Sequence, residues 1–188
     1  MSDHPAQPWS ARDRREVYRN PWLRLEEHVV DLPNGANTLY GIVHCSPCVG
    51  MLPFVDADTV LLVGQWRYII GRGTWEMPTG ANHPDETPEQ AAQRELAEEV
   101  GMHAGQLHRL TAFNTSKSVM DETATLFIAT GLTPAVATPD ETELLTLRRF
   151  SFDEALDMVL QGEIVDGMSI IALLWADRLR RAGAAPFG

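Results

Sequence analysis

Three glutamates, Glu95, Glu98 and Glu99, crowd into five residues of a segment whose signals otherwise all read helix, and this constrains the chain more than any other feature. Thr87-Pro-Glu-Gln90 supplies an N-cap threonine, a proline at the first helical position and a glutamine at N3, and Gly101 is placed to end the helix at C′. The spacing therefore predicts a helix over 88–100. At about 100° per residue, positions i, i+3 and i+4 share a face, so the three carboxylates would stand together. Ala92, Leu96 and Val100 mark a second arc that would pack on a sheet, and Ala91, small and one turn before Glu95, would leave space on the acidic face. Like charges at these spacings repel, and anions in a last turn oppose the helix macrodipole, each at about 0.3–1 kcal/mol. Local rules broken together at one place point to function. A hard divalent cation, Mg²⁺ or Mn²⁺, is the simplest remedy for clustered carboxylates, and such ions also bridge phosphate oxygens. The alternative is a solvated acidic face with Arg94 as its partner.

Charge sharpens this reading. The 188 residues carry 26 acidic against 15 basic side chains, a net −11, which disfavours nucleic acid and anionic membrane as partners. An anionic substrate would need a cationic intermediary. Hydrophobic residues at 44% and charged ones at 22% suit a folded domain with a sizeable core. The first twenty residues lack the apolar core of a secretory signal, and the longest apolar run, 170–176, is too short to span a bilayer, so a cytoplasmic location is expected. Cys45 and Cys48 have no second CxxC to complete a tetrahedral zinc site and read as two inert thiols.

Along the chain, residues 1–15 read as a loose terminus and 16–45 as an N-terminal strand unit. Its strands are predicted over 22–30 and 38–43, around the Asp31-Leu-Pro-Asn-Gly35 turn. Residues 46–188 form the remaining domain. Strands are expected over 49–55, 59–66, 107–114, 123–130 and 144–150, with loops through Gly71, Gly73 and Met77-Pro-Thr-Gly80. Ser151-Phe-Asp-Glu154 reads as a second capping box, opening a helix to about 161, and another helix follows over 167–181. The irregular order of strands and helices implies an α/β (α+β) fold in which helices sandwich a mixed sheet.

Gly80, Glu86, Arg94, Glu95, Leu96, Glu98, Glu99, Gly101 and Met102 fit the pattern GX5EX7REUXEEXGU, where U is a bulky aliphatic residue, at every fixed position. With residue frequencies near 1 in 15, its seven exact identities arise by chance at roughly one site per 10⁸. The segment thus resembles the Nudix box, and the resemblance extends from about residue 16 to 182. It implies an α/β/α sandwich in which the box forms a loop, helix and loop. It further implies that Glu95 and Glu99 are the principal metal ligands and Glu98 a further ligand or water-activating group. Glu86 would assist a metal or hold Arg94, Arg94 would orient the carboxylates, Gly80 would permit the tight loop, and Thr79 would offer a backbone carbonyl to a metal.

Outside the box, Gln65-Trp-Arg-Tyr68, Trp75-Glu-Met-Pro-Thr-Gly80 and the N-terminal strands resemble the ADP-ribose and nucleoside-diphosphate-sugar pyrophosphatases. That resemblance implies metal-dependent hydrolysis of a diphosphate bond, giving a nucleoside monophosphate and a sugar phosphate. Arg67 would clamp the diphosphate, for which a guanidinium fork is suited. Glu76 would contact substrate, hold Arg67, or join a metal shell. Glu141 or Glu143 would be the base that activates water, and Trp22 and Tyr18 are candidates for stacking on the base. A homodimer formed through the N-terminal strands is implied. The segment Ser116-Lys-Ser-Val-Met-Asp-Glu122 departs from the subgroup's proline-glycine turn, which leaves other substrates open: GDP-mannose, a dinucleoside polyphosphate or an oxidised nucleotide. A non-catalytic module that senses ADP-ribose is the remaining alternative.

Overall fold

A computed structural model describes residues 9–136 and 145–187. In chain order these form β1 (Ser10–Arg19), β2 (Leu23–Asp31), β3 (Asn37–Cys45), β4 (Cys48–Pro53), β5 (Thr59–Arg67), β6 (Arg72–Glu76) and β7 (Thr79–Ala81). Helix α1 (Pro88–Glu95) then runs into a π-helical turn, Leu96–Val100. β8 (Met102–Asn114), β9 (Thr123–Pro134), β10 (Thr146–Ser151), α2 (Phe152–Leu160) and α3 (Gly167–Arg181) complete the order. Two compact units result, one holding the residues up to Ser46 with Asn114–Thr123, the other holding Pro47–Phe113 and Ala124 onward.

In the larger unit the two-residue period of the strands decides the layers. Val49 and Met51 of β4, Leu61 and Val63 of β5, and Phe127 and Ala129 of β9 cluster with Ala91, Ala92, Leu96 and Val100 of the box helix. Their neighbours in sequence, Leu52, Val60, Leu62, Leu126 and Ile128, cluster with Phe152, Ala155 and Met158 of α2 and Ala172, Leu173 and Ala176 of α3. Strands buried on both faces read as continuous apolar runs, and helices cover both faces here, giving the α/β/α sandwich. One sheet has the order β7-β4-β9-β8, with β4 parallel to β9 and antiparallel to β7, and the other has β10-β5-β6, both pairings antiparallel. The sheet is mixed, as expected.

The smaller unit is an antiparallel sheet β1-β2-β3. Its β2–β3 turn closes through Leu32 N–H to Ala36 O at 2.9 Å, with Gly35 at φ 83°. β1 begins at Ser10, within the stretch read from sequence as a loose terminus. Every residue of β1 is exposed, so no apolar alternation announces it. Cross-strand ion pairs of Arg12 with Asp31 and of Arg15 with Glu27 (2.9 Å) accompany the ladder instead.

Three further expectations change in detail. β6 and β7 occupy segments read as loops: β6 returns on β5 in a hairpin across residues 68–71, with Gly71 at φ 70°, and β7 gains its ladder from β4, far earlier in the chain. The helix expected over 88–100 is α-helical only to Glu95. At Ser151 only half of the capping box forms, the hydroxyl accepting from Glu154 N–H at 3.1 Å.

The start of α3 also fixes the loop ahead of the box. Asp166 caps the helix by accepting from Ser169 N–H (2.7 Å) and from Ser169 Oγ (2.6 Å). Ser169 Oγ, fully buried, accepts in turn from the N–H of fully buried Met77 at 2.9 Å. Pro78 O accepts from Met51 N–H at 3.0 Å, so Thr79 and Gly80 leave a segment pinned on both sides. Ser169→Ala would strand the Met77 N–H, and a loss of about 1–3 kcal/mol is expected in urea unfolding. An unchanged midpoint would mean that the loop is held without this bond.

Candidate active site

The helix that carries the carboxylates starts as its sequence dictates. Thr87 Oγ1 accepts from Gln90 N–H at 3.2 Å while Gln90 Oε1 accepts from Thr87 N–H at 2.8 Å, a complete capping box. Its last five residues widen into a π-helical turn, a form found mostly at functional sites, and Gly101 ends it at φ 69° in the left-handed region. Glu98 and Glu99 project from this wider turn, so their placement relative to Glu95 is not that of a regular helix. Ala91 does not line the acidic face as expected; it is fully buried against the sheet with Ala92 and Leu96.

Arg94 organises the cluster. Its guanidinium donates to both oxygens of Glu86 (2.8 and 3.0 Å), to Glu95 Oε1 (2.7 Å), to Glu98 Oε2 (3.0 Å) and to the carbonyl of Ala81 (2.8 Å). Glu86 also accepts from His83 N–H at 3.1 Å. These bonds, foremost those from Arg94, hold the Glu86 carboxyl at about 2, below its ordinary 4.5, against the opposing effect of burial. The same carboxylates raise Arg94 further above its already high value, so it stays charged at any working pH. Glu99 Oε2 accepts from Thr79 N–H at 3.1 Å, tying the end of the box to the loop before it.

Gly80 forms the floor. A Cβ built there would lie 1.8 Å from Glu95 Cδ, so the buried carboxylate occupies the space that any side chain would need. Sequence spacing identifies Gly80 and the glutamates, and the fold brings Thr79, Gly80, Glu86, Arg94, Glu95, Glu98 and Glu99 into one connected set. Gln93 was missed: its side-chain amide bonds both backbone groups of Ala104, donating to O at 2.7 Å and accepting from N–H at 3.0 Å. This clamps the chain leaving the box to the helix, and only the fold brings the two residues together.

Of the uses left open for Glu76, the geometry shows one. Glu76 is buried, and its carboxylate accepts from Arg67 Nε (2.9 and 3.1 Å) and Nη2 (2.6 Å), as well as from the Thr74 hydroxyl. Its partner holds Arg67 in its charged form, with further contributions from Asp166 and Glu99, which places this half-exposed guanidinium within the field of the box. Trp22, in the smaller unit, is 80% exposed and Tyr18 is also exposed. Glu141 and Glu143 lie outside the described residues.

Comparisons with known proteins agree with this geometry. The NUDIX domain model matches residues 46–167, and the nucleoside diphosphate sugar hydrolase N-terminal domain matches residues 9–43. The chain is 30% identical over 160 residues to a methanol dehydrogenase activator of Bacillus methanolicus, covering 84% of this chain and 86% of that protein. It is 30% identical over 162 residues to an ADP-ribose pyrophosphatase of Bacillus subtilis, covering 85% and 88%. A crystal structure of an ADP compounds hydrolase superposes with a TM-score of 0.85 at 22% identity, covering 96% of this chain and 98% of that one, a likeness of fold. Fold and family model thus define a hydrolase built on an α/β/α sandwich. The chain belongs to the Nudix family, whose hydrolases generally use a divalent metal ion.

Two consequences are measurable. Gly80→Ala should unseat Glu95 and lower stability by about 1–3 kcal/mol, as overpacking does, whereas an unchanged unfolding midpoint would show a second seat for that carboxylate. Because Glu86 titrates lower in the folded state than unfolded, its contribution is fully present above 4.5 and is lost as pH falls toward about 2. The stability gap between wild type and Glu86→Gln should therefore hold constant from pH 7 to about 4.5 and then shrink; a gap independent of pH would contradict the assignment.

Proposed function

We propose that the chain hydrolyses the diphosphate bond of ADP-ribose or a related nucleoside diphosphate sugar, giving a nucleoside monophosphate and a sugar phosphate. The observation that carries this reading is the set of three glutamates, Glu86, Glu95 and Glu98, gathered around Arg94 with Glu99 tied to the adjoining loop, in a chain that also matches the nucleoside diphosphate sugar hydrolase N-terminal domain. The name of the Bacillus subtilis relative supports ADP-ribose as the substrate to try first.

The donor set fits a hard cation: carboxylate oxygens outnumber the single guanidinium among them, and Glu95 sits in a cradle that a Cβ at position 80 would fill. Glu95 and Glu99 would hold Mg²⁺ or Mn²⁺, with Glu98 as a further ligand or water-activating group and the Thr79 carbonyl as a candidate donor. When bound, such an ion neutralises the diphosphate and lowers the pKa of an attacking water. The side chains supply order. Arg94 keeps Glu95 and Glu98 from turning into solvent, and Glu86 fixes Arg94 from its far side. Arg67, aligned by buried Glu76, would grip a phosphate oxygen, and Glu141 or Glu143 would accept the proton from water. The transition state of phosphoryl transfer is largely dissociative, so positioning and charge neutralisation contribute more than the strength of the nucleophile.

The N-terminal sheet would serve as a homodimer surface, an inference supported by β1, which is exposed along its whole length and carries Val17 and Tyr18. Trp22 would stack on a nucleobase. No helix among the described residues is long and apolar enough to cross a membrane.

Purified protein with Mg²⁺ should convert ADP-ribose to AMP and ribose 5-phosphate, faster than it cleaves GDP-mannose, diadenosine polyphosphates or nucleoside triphosphates. Glu99→Gln should reduce turnover by about two to four orders of magnitude, the scale on which loss of electrostatic stabilisation or proton-transfer catalysis is felt. Binding of ADP-ribose without turnover by the wild type would move the assignment to a sensor module.

A further inference from the structure

Away from the box, the N-terminal sheet gathers a second set of metal-type ligands. Glu26 and His28 lie two residues apart on β2 and so share a face, and His44 on β3 is registered opposite Arg24, diagonal to Glu26 on that same face. One ligand atom from each of Glu26, His28 and His44 falls within 4.8 Å of the others. Glu26 Oε2 lies 2.9 Å from His28 Nε2 and 3.2 Å from His44 Nε2, while Glu26 Oε1 is taken by Arg24 Nη1 at 2.5 Å. His28 is buried, and the Glu26 and His44 side chains are 14% and 24% exposed, so none of the three is a freely solvated surface group.

Proton bookkeeping makes the cluster unusual. His44 meets a carboxylate at each ring nitrogen, Glu26 at Nε2 and Asp121 at Nδ1. A neutral imidazole carries one N–H and can donate to only one of them. Asp121 is itself fixed, accepting from Cys45 N–H at 3.1 Å and donating its own N–H to Val43 O at 3.2 Å. A carboxylate that receives the Nδ1–H of a histidine leaves the Nε2 lone pair directed outward, the arrangement that supports metal-ligating histidines. That nitrogen, the Nε2 of His28 and one oxygen of Glu26 converge. A tetrahedral ion with bonds of about 2.0–2.1 Å separates its ligand atoms by roughly 3.3 Å, close to the 2.9 and 3.2 Å found here.

We propose that Glu26, His28 and His44 form a binding site for a borderline transition-metal ion, Zn²⁺ foremost, with Asp121 orienting His44 from behind. Imidazole and single-oxygen carboxylate donors suit Zn²⁺ and not Mg²⁺, so this site and the all-oxygen box select different ions. The ion joins β2 to β3, and through Asp121 it reaches the 114–123 segment of the same compact unit. Its role is structural: it cross-links a small three-stranded sheet whose outer strand buries nothing.

The test uses the full chain, stripped with a chelator and then dialysed against Zn²⁺ or Co²⁺ in excess Mg²⁺. About one Zn²⁺ per chain should be retained by elemental analysis, and Co²⁺ should give the visible absorption of a tetrahedral site. His28→Gln and His44→Gln should each weaken retention at least a hundredfold, Asp121→Asn by about 10–100-fold, and Glu95→Gln and Glu99→Gln not at all. Should His28→Gln fail to fold by circular dichroism, His44→Gln and Asp121→Asn carry the test. No retained Zn²⁺ in the wild type, or retention lost in Glu99→Gln and kept in His44→Gln, overturns the proposal.

Discussion

One guanidinium holds the candidate active site together. Glu86, Glu95 and Glu98 are brought to within hydrogen-bonding distance of Arg94, and its remaining donor takes the carbonyl of Ala81 on the chain leaving Gly80. Without that charge three carboxylates would repel one another across a helix end whose dipole already disfavours them. A lysine could supply the charge but not the fork: Nε and Nη2 engage both oxygens of Glu86 while Nη1 is left to bridge Glu95 and Glu98. Arg94 thus serves structure and site at once, fixing the loop from Gly80 to Glu86 on the helix while it holds Glu95 and Glu98 together.

The sandwich explains why the box can tolerate such a concentration of charge. Ala91, Ala92, Leu96 and Val100 anchor one side of the helix in a continuous apolar layer with Met51, Val63 and Phe127, and this burial is indifferent to what the opposite side carries. On the far face of the sheets, α3 reaches back through Ser169 to Met77 and sets the height of the loop that delivers Thr79 and Gly80. Helix, floor and loop are therefore positioned by separate packing layers, and Glu99 closes the circuit by accepting from Thr79 N–H.

What could be read directly from sequence was whatever depends on fixed offsets. The caps at Thr87 and Gly101, the identity of the carboxylates, and the apolar runs of β4, β5 and β9 all follow from local spacing, and the structure has each of them. Features that depend on a distant partner were not legible. β7 needed its ladder with β4, β1 needed cross-strand ion pairs in place of an apolar face, and the Gln93 clamp needed Ala104. The π-helical turn is subtler, because nothing in Leu-Ala-Glu-Glu-Val distinguishes it from an ordinary last turn. Equal helical spacing also put Ala91 on the acidic face, although its methyl group is needed in the core.

Net charge completes the argument. A chain at −11 that acts on a doubly charged diphosphate must overcome repulsion at every approach, and its own cations are already engaged where the site is densest. Arg94 is saturated by carboxylates and Arg67 is aligned by Glu76, so neither can neutralise a diphosphate alone. The divalent ion that hydrolases of this family generally use supplies the charge these side chains do not, and the fold holds Glu95 against Gly80 and Glu99 to Thr79. Affinity for substrate and affinity for metal are then linked free energies: each ligand supplies charge the other lacks, so tightening either tightens both.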